Sequence, residues 1–250
     1  MTGAITIKLG GMAGAHAASV EAVARSAPAR TVVVHGGGNE VARWSQRLGI
    51  EPRTRDGLRV TDPATLEVVV AILGGLVNTR LVAAFATAGR SAIGLTGVDG
   101  GLLRLRRREP ALGEVGEVLH ADPRVLDAVL DRGDLPVVAS IGMDDAGSLL
   151  NVNADEAAGA IAAARGGWLL LCTDVPGVLR DDRLVEQLDP DTAQRMLDDG
   201  TASSGMRPKV RAALVAAQNG CTVRIIDGRD AAVVAEALTG GNVGTEVTAA

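Results

Sequence analysis

Lysine is nearly missing from this sequence. Of its 25 basic residues only two are lysine, Lys8 and Lys209, and the other 23 are arginine. Wherever a cation has only to be soluble, the chain uses arginine. The two exceptions mark places where a wide, planar guanidinium will not serve and a compact ammonium on a thin stem will. A phosphoryl charge developing in a narrow site is such a place. The competing reading is chance survival of two surface lysines.

Aromatics are scarce too. There is no tyrosine, one phenylalanine (Phe85) and two tryptophans (Trp44 and Trp168). Stacking platforms for single-stranded nucleic acid are therefore lacking. A net charge of −5 also argues against a phosphate-backbone partner. The two cysteines, Cys172 and Cys221, are far apart in apolar runs, which predicts reduced core thiols and no metal site. No signal peptide is recognisable, and no apolar run reads as long enough to span a membrane. A cytoplasmic protein with no membrane partner is the expectation. No P-loop is present. Gly10-Gly11-Met12-Ala13-Gly14 lacks the Gly-x-Gly-x-x-Gly spacing of a dinucleotide dehydrogenase.

What the chain does have is apolar strands that end in glycine. At 250 residues and 47% hydrophobic, it can bury the core of one large α/β domain or two lobes. Ile5 to Leu9 reads as a first buried strand running into Gly10-Gly11, with Lys8 just before them. Thr31 to Val34 reads as a second, running into His35-Gly36-Gly37-Gly38 and then a helix from Asn39 to Leu48. Strand, glycines, helix is the arrangement that aims backbone N–H groups at an anion. Parallel strands would bring both glycine turns to one sheet edge, where ligands bind. For His35, ordering of the turn is favoured over a role as a base.

Asp56-Gly57 predicts a hairpin over 51–60, with Arg59 free to fork onto a carboxylate or to sit in solvent. Thr61-Asp62-Pro63 starts a long, largely apolar helix towards Ala88, with a kink expected at Gly74-Gly75. Leu102 to Glu109, with Arg104, Arg106, Arg107 and Arg108, reads as an exposed arm paired with Val115 to His120. Pro136 to Ile141 reads as one buried strand, and 144–150 as a polar turn. Asn153 is placed to cap a helix from Glu156 to Arg165. Asp155 then either complements the helix dipole or orients cations in a site. Trp168 to Cys172 is another apolar strand, ending in a turn from Thr173 to Leu179. A flexible Gly/Ser/Thr segment over 200–208 precedes Lys209 at the head of a further helix.

In order along the chain, Lys8-Leu-Gly-Gly11, His35-Gly-Gly-Gly38, Gly57-Leu-Arg-Val-Thr61, Asn151-Val-Asn-Ala-Asp155, Thr173-Asp-Val-Pro-Gly177 and Gly205-Met-Arg-Pro-Lys209 resemble the amino acid kinase family. Within it they are most similar to the acetylglutamate kinases of arginine biosynthesis. The resemblance implies an αβα sandwich with a mainly parallel central sheet. It also implies transfer from ATP, with Mg²⁺ bound through the nucleotide, to the side-chain carboxylate of N-acetyl-L-glutamate. An N-terminal lobe over about 1–150 would hold the acyl-amino acid, and a C-terminal lobe over about 151–250 the nucleotide. By position, Lys8 and Lys209 are similar to the transition-state cations and Asp155 to their organiser. Gly37, Gly38, Arg59 and Asn151 are similar to the substrate contacts. Gly10, Gly11, Asp174, Val175, Pro176, Gly177, Val178, Leu179, Thr201, Ala202 and Ser203 are similar to the nucleotide contacts. No metal ligands are implied. The alternatives are an aminoadipate kinase of lysine biosynthesis, with an acidic carrier protein docked on Arg104–Arg108, and a non-catalytic sensor on the same fold. The chain begins almost on its first strand, so a simple homodimer without arginine feedback is expected.

Overall fold

The computed structural model describes residues 3–10, 17–202 and 205–248. Gly11 and Ser203, two of the expected nucleotide contacts, lie outside the described residues. An eight-stranded sheet forms the centre. Across it the order is Gln187–Leu188, Thr245–Val247, Thr222–Asp227, Trp168–Thr173, Ile5–Leu9, Thr31–His35, Leu135–Ala139 and Ala92–Thr96. The six from Thr222–Asp227 to Ala92–Thr96 are mutually parallel. Thr245–Val247 runs antiparallel to Thr222–Asp227, and the two-residue strand Gln187–Leu188 pairs with it. The mainly parallel central sheet implied by the resemblance is therefore present.

These strands are mostly apolar because helices cover both faces. Period-two alternation sorts their side chains into two cores. Val32, Val34, Leu169 and Leu171 pack with Ala157, Ala158, Ile161, Val210 and Ala213. Ile5, Ile7, Leu9, Val33 and Leu170 pack on the other face with Leu73, Val77, Leu81 and Phe85. The same alternation turns Lys8 to the first face, which carries helices Ala154–Arg165 and Arg207–Gln218. Both cysteines are buried free thiols.

The long helix runs from Pro63 to Thr87. Asp62 caps it, its Oδ1 accepting from the Thr65 N–H at 2.8 Å. Around Gly74-Gly75, where a kink is expected, the helix instead widens into a π-helical stretch, Val70–Val77. At 25 residues it is long and apolar enough, by length and composition, to cross a membrane, which corrects the expectation that no such run exists. Ile72, Leu73, Val77, Leu81 and Phe85 are instead buried against the sheet.

Two further expectations are redrawn at Ser140. The single strand expected over Pro136–Ile141 breaks there. Leu135–Ala139 stays in the main sheet, and Ile141–Met143 joins a second, four-stranded sheet with Leu149–Asn151, Leu103–Arg107 and Gly116–Ala121. The segment expected as a polar turn over 144–150 thus ends in a strand. The arm pairs as expected, Leu103–Arg107 against Gly116–Ala121. The Asp56-Gly57 hairpin is present but short, Thr54–Arg55 against Leu58–Arg59, with φ of 50° and 80° at its tip.

Candidate active site

Asn153 caps the helix Ala154–Arg165. Its Oδ1 accepts from the N–H of Asp155 at 2.8 Å and of Glu156 at 3.2 Å. That cap fixes the first turn and, with it, Asp155, which is 4% exposed. Lys8 Nζ lies 2.9 Å from Asp155 Oδ1, and Lys209 Nζ lies 3.5 Å from Oδ2. One carboxylate thus divides its two oxygens between ammoniums arriving from a strand and a helix. Asp155 sits in the first turn of its helix, where it complements the dipole, and it also faces both ammoniums.

Burial pushes the Asp155 carboxyl up, but the ammoniums of Lys8 and Lys209 more than offset it and hold it below the usual carboxylate range. Burial lowers the Lys209 ammonium, with Asp155 opposing and Lys8 adding to the shift. Two cations around one anion leave a unit of positive charge in a nearly dry place. A negatively charged ligand completes such a site. The start of the Lys209 helix points the same way, because it has no side-chain cap and no acidic residue in its first turn.

Two close approaches make the trio possible. A Cβ on Gly159 would sit 3.0 Å from the Ala212 carbonyl oxygen, so only glycine lets the Asp155 and Lys209 helices pack this tightly. A Cβ on Gly10 would sit 2.9 Å from Lys8 Nζ and 2.9 Å from the Cys172 carbonyl oxygen. Gly10 leaves the room that the ammonium occupies.

Two cavities meet at Lys8 and Gly10. The smaller, about 250 Å³, is lined by Gly37, Gly38, Arg59, Asn151 and Asp155 among others. The four expected substrate contacts are thus brought together. Arg59 Nη2 donates to the Gly38 carbonyl at 2.7 Å, while Nη1 is buried without a protein partner. A buried, unpaired guanidinium N–H in a cradle is a donor awaiting an acceptor. Burial lowers the Arg59 pKa, as it does for any cation taken from water. Asn151 Nδ2 donates to Thr61 Oγ1 at 3.0 Å, and Thr61 Oγ1 donates to the Arg59 carbonyl at 2.9 Å. Thr61 thereby couples two expected contacts. It stands inside the motif read from the sequence but was given no role there.

The larger cavity, about 590 Å³, is lined by Lys8, Lys209, Gly10, Asp174, Val175, Gly177, Val178, Leu179, Thr201 and Ala202. Pro176 is not part of its lining. Asn39, Met196, Met206 and Arg229, which the sequence reading passed over, also line it. Arg229 carried a usable signal. It follows Gly228 at the end of strand Thr222–Asp227, beside Trp168–Thr173, and so obeys the same strand-to-glycine logic.

His35 is fully buried. Its Nε2 accepts from Asn78 Nδ2 at 3.0 Å, and its Nδ1 donates to the Gly36 carbonyl at 2.9 Å. Burial pushes its pKa down to about 4, so the ring is neutral and orders the glycine turn. Asn78 also donates to the Val137 carbonyl at 2.8 Å. One buried amide in a largely apolar helix was the missed signal. In the arginine run Arg106 and Arg107 are exposed, as expected of a solvated arm, while Arg104 and Arg108 are half-buried. Arg106 pairs with Glu117, Arg107 with Glu114 and Arg108 with Glu156.

The model of the amino acid kinase family matches residues 4–227. An acetylglutamate kinase of Rubrobacter xylanophilus is 44% identical over 246 residues, covering 97% of this chain and 96% of that protein. An acetylglutamate kinase of Methanopyrus kandleri is 46% identical over 208 residues, covering 78% of this chain and 85% of that protein. Among solved structures, the smu.665 protein of Streptococcus mutans UA159 superposes with a TM-score of 0.81 at 27% identity, covering 98% of each chain.

Proposed function

The chain belongs to the amino acid kinase family, and we propose that it transfers the γ-phosphoryl group of ATP to the side-chain carboxylate of N-acetyl-L-glutamate, a step of arginine biosynthesis. The carrying observation is the Lys8–Asp155–Lys209 trio at the junction of two cavities. The likeness to acetylglutamate kinases along nearly the whole chain selects the acceptor.

The acceptor carboxylate has a pKa of about 4 and is ionised at neutral pH, so no base is needed. One of its oxygens bonds to the γ-phosphorus as the bond from that phosphorus to the bridging oxygen breaks. ADP departs with the electron pair, and the product is an acyl phosphate. Charge builds on the transferring oxygens, and Lys8 and Lys209 are placed to meet it from two sides. Asp155 holds the two ammoniums apart and aimed. Gly10 would offer its N–H to phosphate. Arg59, Asn151, Gly37 and Gly38 would hold the acyl-amino acid, in a lobe of about residues 1–150. Asp174, Val175, Gly177, Val178, Leu179, Thr201 and Ala202 would hold the nucleotide in the remainder, with Gly11, Pro176 and Ser203 assigned by resemblance alone.

The surplus positive charge and the uncapped helix start fit the triphosphate of ATP. Mg²⁺ would arrive bound to those phosphates and neutralise them. Among the described residues no three His, Cys, Asp or Glu gather to hold an ion, and Asp155 is committed to the lysines. The reading includes a cytoplasmic location, where ATP is supplied, and a homodimer. The edge strand Ala92–Thr96 and the half-exposed Val70, Leu76 and Val82 beside it offer a face for a second copy.

An ADP-release assay with N-acetylglutamate and N-acetylaminoadipate side by side tests the substrate. The proposal requires a kcat/KM for the first at least about tenfold above that for the second. Preference for aminoadipate, or no ADP with either, would overturn it.

A further inference from the structure

A third cavity, of about 800 Å³, shares only Leu58 and Ala202 with the two at the transfer centre. Five arginines line it: Arg55, Arg107, Arg108, Arg207 and Arg211. The phosphoryl transfer described above uses none of them. Their compensation is uneven. Arg108 Nη2 donates to both oxygens of Glu156 at 2.7 Å and 2.8 Å, and Arg107 pairs with Glu114. Arg55 reaches only loosely to carboxylates, 3.8 Å to Asp56 and 3.9 Å to Glu109. Among the described residues, Arg207 and Arg211 have no carboxylate within 4.0 Å. Arg108 Nε is buried without a hydrogen-bond partner.

The positions of Arg207 and Arg211 run against the electrostatics of their own helix. They share its opening turns with Lys209, at the end that already carries partial positive charge. No acidic residue and no side-chain cap offsets them there. Lys209 has Asp155, whereas Arg207 and Arg211 have nothing equivalent among the described residues. Like charges gathered on a helix N-terminus destabilise the fold until an anion joins them.

We propose that this cavity is a second anion site, for a compact multivalent oxyanion of the phosphate or polycarboxylate class, gripped by Arg55, Arg207 and Arg211. Guanidinium forks from two directions suit an acceptor with several oxygens. Arg55 stands on the hairpin that also carries Arg59, and Arg207 and Arg211 stand on the helix that carries Lys209. A bound anion therefore ties the acceptor-side hairpin to the transfer-side helix, and its occupancy biases how the two come together during turnover.

Calorimetric titration with inorganic phosphate and, separately, with citrate tests this, with Mg²⁺ and a non-hydrolysable ATP analogue saturating the transfer centre. Wild type is expected to bind one further anion per chain, and the comparison of the two probes assigns the phosphate or the carboxylate class. In Arg207→Gln/Arg211→Gln that affinity falls at least about tenfold. Its kcat without added anion stays within about twofold, and its Tm holds or rises, because like charges leave the helix end. Arg55→Gln weakens the same binding from the hairpin side. The proposal is overturned if neither anion binds the nucleotide-loaded wild type or if the double variant binds equally well. It is also overturned if an acidic peptide binds there while both small anions do not. Unchanged affinity in Arg55→Gln removes the hairpin from the site and contradicts the coupling.

Discussion

Arg108 and Glu156 tie the arm of the smaller sheet to the helix that carries Asp155. One guanidinium nitrogen meets both carboxylate oxygens, at 2.7 Å and 2.8 Å, and the side chains are only 19% and 13% exposed. Removing Arg108 would leave the Glu156 charge half-stranded beside the capped turn. Arg108→Gln is expected to lose about 1–3 kcal/mol of stability in urea denaturation. Adding Glu156→Gln should recover most of that loss. Arg104→Gln is the control, since Arg104 makes one 3.4 Å contact to the Asp144 carbonyl and should cost less than about 0.5 kcal/mol. Equal losses at 104 and 108 would show that the pair does not anchor the helix.

Arg59 has a buried, unpartnered N–H, and in the proposed reaction it would hold a carboxylate whose charge does not change during transfer. Binding of that kind is felt equally in ground and transition states, so it acts mainly through KM. Arg59→Ala should raise KM for the acyl-amino acid by roughly tenfold or more and leave KM for ATP nearly unchanged. Steady-state kinetics with each substrate varied decides this. An equal rise for ATP would move Arg59 out of the acceptor site.

His35 should make the fold sensitive to mild acid. Its folded pKa is pushed down to about 4 from an unfolded value near 6.5, so the unfolded chain binds the proton more readily. The stability held above about pH 6.5 is then lost as pH falls towards 4, by up to roughly 3 kcal/mol. Asp155 behaves differently, since its depressed pKa removes stability only at still lower pH, as its carboxylate protonates. Denaturation midpoints from pH 7 to 4.5 should fall for wild type and fall distinctly less for His35→Gln. Parallel curves would remove His35 as the cause.

The parts of this fold set by local chemistry were readable from the sequence. The buried strands follow from their apolar, β-branched runs, and the cap at Asn153 from its position before an alanine-rich helix, while the parallel order of the sheet came with the resemblance. Lys8 and Lys209 stood out because arginine fills every other basic position. The parts set by distant partners were not readable. The strand break at Ser140 depends on a second sheet that exists only after folding. The inward turn of Arg108 was not readable, because its partner Glu156 lies 48 residues further on. The π-helical widening at Val70–Val77 leaves no mark distinct from the two glycines that suggested a kink.

The central claim is that Lys8 and Lys209, held by Asp155, stabilise a phosphoryl group passing to a carboxylate. Trapping the acyl phosphate as its hydroxamate, with ATP and N-acetylglutamate, measures that step in wild type, Lys8→Arg and Lys209→Arg. Both variants keep the charge, but each replaces a compact ammonium by a wider fork in a site where Gly10 leaves little room. Each is expected to fold with a Tm near that of wild type and to lose about 10²–10³ in kcat. Either variant retaining kcat within about tenfold, or a wild-type enzyme that forms no hydroxamate, would contradict the account.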